Sequence, residues 1–139
     1  MTNLQILKYV FLIFLGWIFS LLLVTFLGLS ILPHSVSPGN FLPPSIDLEY
    51  FKRWANWDGG HFLGISKNGY LPIQVVFFPL YPILIKIFSI LLDSLWAGLL
   101  VSSLSTITTL FFFYKLISLD YDEDISKSDL FLLLIFPTS

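Results

Sequence analysis

The chain contains no cysteine, so neither a disulfide framework nor a thiolate metal site can form. Charge is almost as scarce: only 12% of residues are Asp, Glu, Lys or Arg, the net charge is -2, and no basic run exists to serve as a footprint for nucleic acid. The two histidines, His34 and His61, stand too far apart to make a local metal pair, and no zinc site is expected. No Walker loop, dinucleotide fingerprint, GxSxG elbow or internal repeat is present. What fills the chain instead is apolar sequence. At 56% hydrophobic residues, with 15 phenylalanines, it is neither an ordinary soluble domain nor a disordered segment, and the reading that remains is an all-α membrane protein.

Tyr9 to Leu32 carries no charge, and as a helix it would span about 36 Å, more than a hydrocarbon core of about 30 Å. It is expected to be a retained transmembrane helix, residues 9–32, with Lys8 on the cytoplasmic side; no small-x-small cleavage site follows it. Pro33, Pro38, Gly39, Pro43 and Pro44 then forbid a continuous helix, and residues 33–93 read as an extracytoplasmic loop with short interfacial helices. Ser45 or Asp47 can cap the first of these, on which Trp54, Trp57, Asp58, His61, Phe62 and Ile65 fall on one aromatic face. Gly59 and Gly60 are candidate breaks in that helix, and Gly69 is a candidate C-terminal cap. A helix begun near Pro79 or Pro82 would be too short to span a bilayer by Leu92, which makes it a tilted or partly inserted element.

Residues 94–114 form the second expected span, with Lys115 at its cytoplasmic end. Residues 115–129 read as a cytoplasmic loop holding the acidic run Asp120, Asp122, Glu123 and Asp124, and residues 130–139 as the start of a third span. That run reaches about half a membrane before Ser139, so the chain is expected to be the N-terminal portion of a longer protein.

Trp57-Asp58-Gly59 is the most informative triplet. A carboxylate set among indole rings is partly withdrawn from water and becomes a stronger base, the property needed to take a proton from a sugar hydroxyl as that oxygen attacks an anomeric carbon. Transfer from a polyprenyl-phosphate sugar fits, because it needs no nucleotide-binding domain. Arg53 and Lys52, with Lys67 and Lys86, are candidates to meet the phosphate. His61 could orient Asp58, contact the phosphate or donate to a hydroxyl, while Trp57, Phe62, Tyr70 and Tyr81 offer flat faces to a sugar or an isoprenoid tail. Each has a plainer reading: Trp54, Trp57 and Tyr70 as interface anchors, Arg53 and Lys52 snorkelling to lipid phosphates, Asp58 as an exposed helix start. The composition assigns no cofactor, and a divalent metal has no ligand set to support it.

The stretch Trp54-Ala55-Asn56-Trp57-Asp58-Gly59-Gly60-His61-Phe62-Leu63-Gly64-Ile65-Ser66-Lys67-Asn68-Gly69-Tyr70, followed by Phe77-Phe78-Pro79-Leu80-Tyr81-Pro82, resembles the PIG-V-like mannosyltransferases, the GPI mannosyltransferase 2 family, together with their prokaryotic relatives. Phe136-Pro137-Thr138-Ser139 looks like the start of a later family segment. The resemblance implies a GT-C-like polytopic helical bundle, of which this chain is an N-terminal fragment. It further implies a dolichyl- or polyprenyl-phosphate-mannose donor, a lipid-linked or surface glycan acceptor, and inverting transfer outside the cytoplasm. By the same resemblance Asp58 is the general base, and His61 and Tyr70 stand at motif positions. Asn56 departs from the pattern, since an arginine is common there; Arg53 stands a turn earlier.

The chain is therefore expected to be a multi-pass membrane glycosyltransferase, with Asp58 catalytic and Arg53, Trp57, His61, Tyr70 and Tyr81 binding substrate. Its expected partners are membrane lipid, the lipid-linked donor, the glycan acceptor and other membrane subunits. The alternative is a small non-catalytic membrane subunit, or a truncated remnant, that binds a partner membrane protein.

Overall fold

The computed structural model describes residues 1–31, 51, 53–55 and 58–135. Among these every regular element is helical: α1 (Asn3–Ile31), a 3-10 turn (Arg53–Ala55), α2 (Asp58–Asn68), a second 3-10 turn (Pro72–Gln74), α3 (Leu80–Phe88), α4 (Ser94–Ile117) and α5 (Glu123–Ile135). Two helices, α1 and α4, are long and apolar enough to cross a membrane. Leu, Ile and Phe dominate α1, whose Ser20 and Thr25 hydroxyls return hydrogen bonds of 2.9 and 2.8 Å to the carbonyls of Gly16 and Leu21. A hydroxyl satisfied in this way can face hydrocarbon without an orphaned donor.

The chain divides into two compact units, Met1–Leu27 with Leu104–Ser139, and Gly28–Ser103. In the first unit Ile6, Val10 and Phe14, at four-residue spacing on α1, pack with Leu110 and Tyr114 of α4 and Leu130 of α5. Polar contacts close the same unit: the Tyr114 hydroxyl donates to Met1 Sδ at 3.2 Å, and the N-terminal ammonium lies 3.7 Å from Glu123 Oε2.

The acidic run departs from the expected loop. Asp122 is the N-cap of α5, its Oδ1 accepting from the Ile125 N–H at 3.0 Å, and Glu123 and Asp124 occupy the first turn. Carboxylates there offset the positive helix end, so acidity marks a helix start rather than a solvated connection. Helix α5 begins at Glu123 and not at the apolar Leu130, and α4 runs to Ile117. Helix α1 likewise starts at Asn3, six residues before the charge-free run, because Gln5 and Lys8 cost a helix nothing.

The second unit has its own core: Ala55, Leu63 of α2, Ile85 of α3, and Leu95 and Ala97 of α4, joined by Phe51, Phe62, Tyr81, Phe88 and Leu99. Asp93 starts α4, its Oδ1 accepting from the Leu95 N–H at 2.9 Å and its carbonyl from the Ala97 N–H at 2.9 Å. Helix α3 is nine residues long, too short to span a bilayer, and ends at Phe88 rather than at the expected Leu92. The expected helix from Ser45 or Asp47, the loop at 33–42, and Phe136 to Ser139 lie outside the described residues.

Candidate functional site

Of the residues singled out from the sequence, Asp58, His61 and Phe62 lie on α2, Tyr70 on the segment that follows it and Tyr81 at the start of α3. Helix α2 begins at Asp58, and this corrects the picture of one continuous amphipathic helix carrying Trp54, Asp58 and His61. Trp54 belongs to the preceding 3-10 turn. Gly59 and Gly60 do not break the helix; they sit in its first turn, where backbone N–H groups lack intrahelical partners in any case. At the other end Gly69 takes φ +80° and its N–H reaches the Ile65 carbonyl at 2.9 Å, the left-handed C-terminal cap anticipated.

Asp58 is exposed. The expected withdrawal from water is corrected, because a side chain on the first residue of a helix projects from its end and not into the packed face. His61, one turn later, is half-buried. Its ring stacks on Phe77 with centroids 5.0 Å apart and planes 26° from parallel, and its Nδ1 lies 3.3 Å from Gln74 Nε2. Phe77 meets Phe62 edge-on at 5.1 Å, and Phe62 meets Tyr81 edge-on at 5.0 Å. Such ring pairs contribute about 0.5–1.5 kcal/mol each beyond the area they bury. They form an unbroken row, His61, Phe77, Phe62, Tyr81, that ties the two sequence motifs together.

Both tyrosines spend their hydroxyls on the frame. Tyr70 donates to the Phe77 carbonyl at 2.9 Å and holds the connecting segment closed, while leaving its ring exposed. Tyr81 donates to the Gly98 carbonyl at 3.1 Å and lies 2.8 Å from Ser102 Oγ, which fastens α3 to α4. Alternation within the proline-rich box is plain: Phe77 packs inward, Phe78 is 75% exposed, Pro79 precedes α3 and Pro82 is buried.

Gln74 is not among the site residues expected from the sequence. It is 6% exposed, and its carboxamide is used at both ends, Oε1 accepting from the Leu71 N–H at 3.1 Å and Nε2 facing His61. A lone uncharged polar residue inside Leu71 to Phe78 was the available signal, since a buried amide without partners costs about 1–3 kcal/mol. Lys67 and Lys86 are exposed in the last turns of α2 and α3, where a cation suits the helix end. Lys52, Asn56, Trp57 and the Arg53 side chain lie outside the described residues, as does His34. Among the described residues no three His, Asp or Glu side chains converge.

Described elements that are all helical, two of them of bilayer length, with an exposed carboxylate and a braced imidazole on one short helix that lies between those two in the chain, have the makings of a membrane-associated transferase. The description Mannosyltransferase (PIG-V) fits residues 4–129, and the chain belongs to that glycosyltransferase family. No curated protein and no solved structure matches it.

Proposed function

We propose that this chain carries the base of a membrane-embedded mannosyltransferase that uses a polyprenyl-phosphate sugar as donor and a lipid-linked or surface glycan as acceptor. Asp58 takes the proton of the acceptor hydroxyl while that oxygen attacks the anomeric carbon. The bond from that carbon to the phosphate oxygen breaks, polyprenyl phosphate departs with the electron pair, and the anomeric configuration inverts. A carboxylate open to solvent, at the end of a helix whose flank is packed, can be reached by an acceptor approaching from water.

The observation that carries this reading is the joining of the two family motifs in one packed body: His61 on Phe77, and Phe62 on Tyr81. A motif pair held in register positions Asp58 relative to Tyr70, whose exposed ring offers a face to sugar or isoprenoid. Arg53 and Lys67 supply positive charge for the departing phosphate, with Lys86 as a further source, and Trp57 adds a second apolar face. The short helices between α1 and α4 lie on the extracytoplasmic side, within a GT-C-type bundle to which further subunits can add.

The test is transfer by membranes containing the whole protein. Mannose should pass from a short-chain polyprenyl-phosphate donor to an endogenous glycolipid fraction, and not from a nucleotide sugar. Transfer from the nucleotide sugar alone would contradict the proposal.

A further inference from the structure

Three duties suit an imidazole one turn from Asp58: orienting that carboxylate, contacting a phosphate, and donating to a hydroxyl. A fourth, acting as the base itself, would compete with Asp58. The hydrogen bonds around Gln74 choose between donor and base. We infer that Gln74 is a positioning residue that fixes the His61 ring with its proton on Nε2, so that His61 serves as a donor and Asp58 is left as the base of the pair. The division of labour rests on the function proposed above; the ring's protonation does not.

A backbone N–H can only donate, and that of Leu71 points at Gln74 Oε1 from 3.1 Å. The oxygen end of the carboxamide is thereby identified, and the NH₂ end is the one 3.3 Å from His61 Nδ1. An amide NH₂ has only hydrogens to offer, so Nδ1 must accept through its lone pair. In the neutral ring the proton then resides on Nε2.

The amide is not at liberty to turn over. Reversing the amide would set its NH₂ against the Leu71 N–H at a position only 6% exposed, where water cannot repair the mismatch. The Gln74 backbone is held as well, its N–H donating to the Leu71 carbonyl at 2.8 Å. Phe77 lies along one face of the imidazole at 5.0 Å and fixes the ring plane. Gly64, one turn beyond His61 on α2, faces the same amide: a Cβ there would lie 3.7 Å from Nε2 of Gln74. The side chain thus lies over α2 and reaches His61 from the connecting segment, 13 residues away in sequence.

The experiment is nitrogen NMR of the full chain in detergent micelles with ¹⁵N-labelled histidine, recorded on the neutral ring, with H34Q removing the second histidine. The expected spectrum shows His61 Nδ1 as the unprotonated, pyridine-type nitrogen and Nε2 as the protonated one. Q74E keeps an acceptor for the Leu71 N–H but turns an oxygen toward Nδ1, and should move the proton onto Nδ1. A wild-type spectrum with the proton on Nδ1, or a folded Q74E protein whose spectrum matches wild type, overturns the inference. Should Q74E fail to fold, the wild-type spectrum decides. These spectra need no substrate, so they stand or fall separately from any assay of Asp58.

Discussion

Tyr81 Oη donates to the Gly98 carbonyl, 3.1 Å away, and shares a second hydrogen bond with Ser102, whose Oγ stands at 2.8 Å. Through this pair the row of rings that ends at His61 is anchored to the helix able to cross the membrane. Tyr81→Phe removes both bonds and should lower stability by about 1–2 kcal/mol. Unfolding in mixed detergent micelles measures that loss. If the hydroxyl serves only the frame, the donor KM stays at its wild-type value; a raised KM at unchanged stability would put Tyr81 against the substrate instead.

Gly98 of α4 faces Tyr81 and Ile85 of α3 and Leu63 of α2. A Cβ there would meet Tyr81 Oη at 3.5 Å, Ile85 Cδ1 at 3.6 Å and Leu63 Cδ2 at 3.7 Å, all ordinary contacts. Gly98→Ala should therefore fold normally, with a helix-propensity gain of up to about 1 kcal/mol. Gly98→Leu has no such space and should destabilise by about 1–3 kcal/mol. The same unfolding measurement separates the two.

Gly69 ends α2 at φ +80°, a backbone region that costs an L-residue about 1–2 kcal/mol. Gly69→Ala should lose roughly that amount and reduce transfer as well, since the chain leaving α2 delivers Gln74 to His61. Gly59→Ala is the control, because among the described residues its Cβ would meet only the Ala55 Cβ, at 3.5 Å.

What could be read in the sequence was what depends on neighbours along the chain. Uninterrupted apolar runs revealed α1 and α4, the prolines limited α3, and Gly69 after Lys67 and Asn68 marked a cap. The remaining features depend on contacts that are hidden or remote along the chain. A helical wheel cannot show that α2 begins at Asp58, and so it set Trp54 on the same face as His61. Acidic residues near Asp122 suggested solvent, although the same side chains complement a helix start. Gln74 meets His61 across a reversal of the chain, and only its isolation among apolar residues hinted that it needed partners.

Glu123 and Lys127 stand four residues apart on α5, with Nζ 2.6 Å from Oε1. The hydrogen bond from Lys127 holds the Glu123 carboxyl below its ordinary range, aided by the lysine charge and the N-terminal ammonium. The same bond, opposed by some desolvation, raises the Lys127 ammonium. Because the carboxyl value is lowered, its contribution is complete above the ordinary carboxylate range and is lost as pH falls through the lowered value. For Lys127 the contribution is complete below the ordinary lysine range and is lost as pH rises through the raised value. Both groups are solvent-exposed, so the effect on stability is small. Carboxyl ¹³C NMR should resolve Glu123 from Glu49, the other glutamate among these 139 residues, and Lys127→Met should move the Glu123 titration upward.

Residues 1–139 contain no cysteine, so a thiol introduced there is the one thiol of this segment. Asn68→Cys, at the exposed end of α2, should react with an impermeant maleimide added to the extracytoplasmic side of intact membranes, and Lys8→Cys and Lys115→Cys should not. The opposite labelling pattern would put Asp58 on the side away from the proposed reaction.

Asp58→Asn keeps the side chain's size and place at the start of α2 while removing its capacity to take a proton. Transfer from polyprenyl-phosphate mannose by the whole protein carrying this change should fall by about 10²–10⁴-fold, with donor binding retained. Transfer at the wild-type rate by a correctly inserted variant would contradict the account.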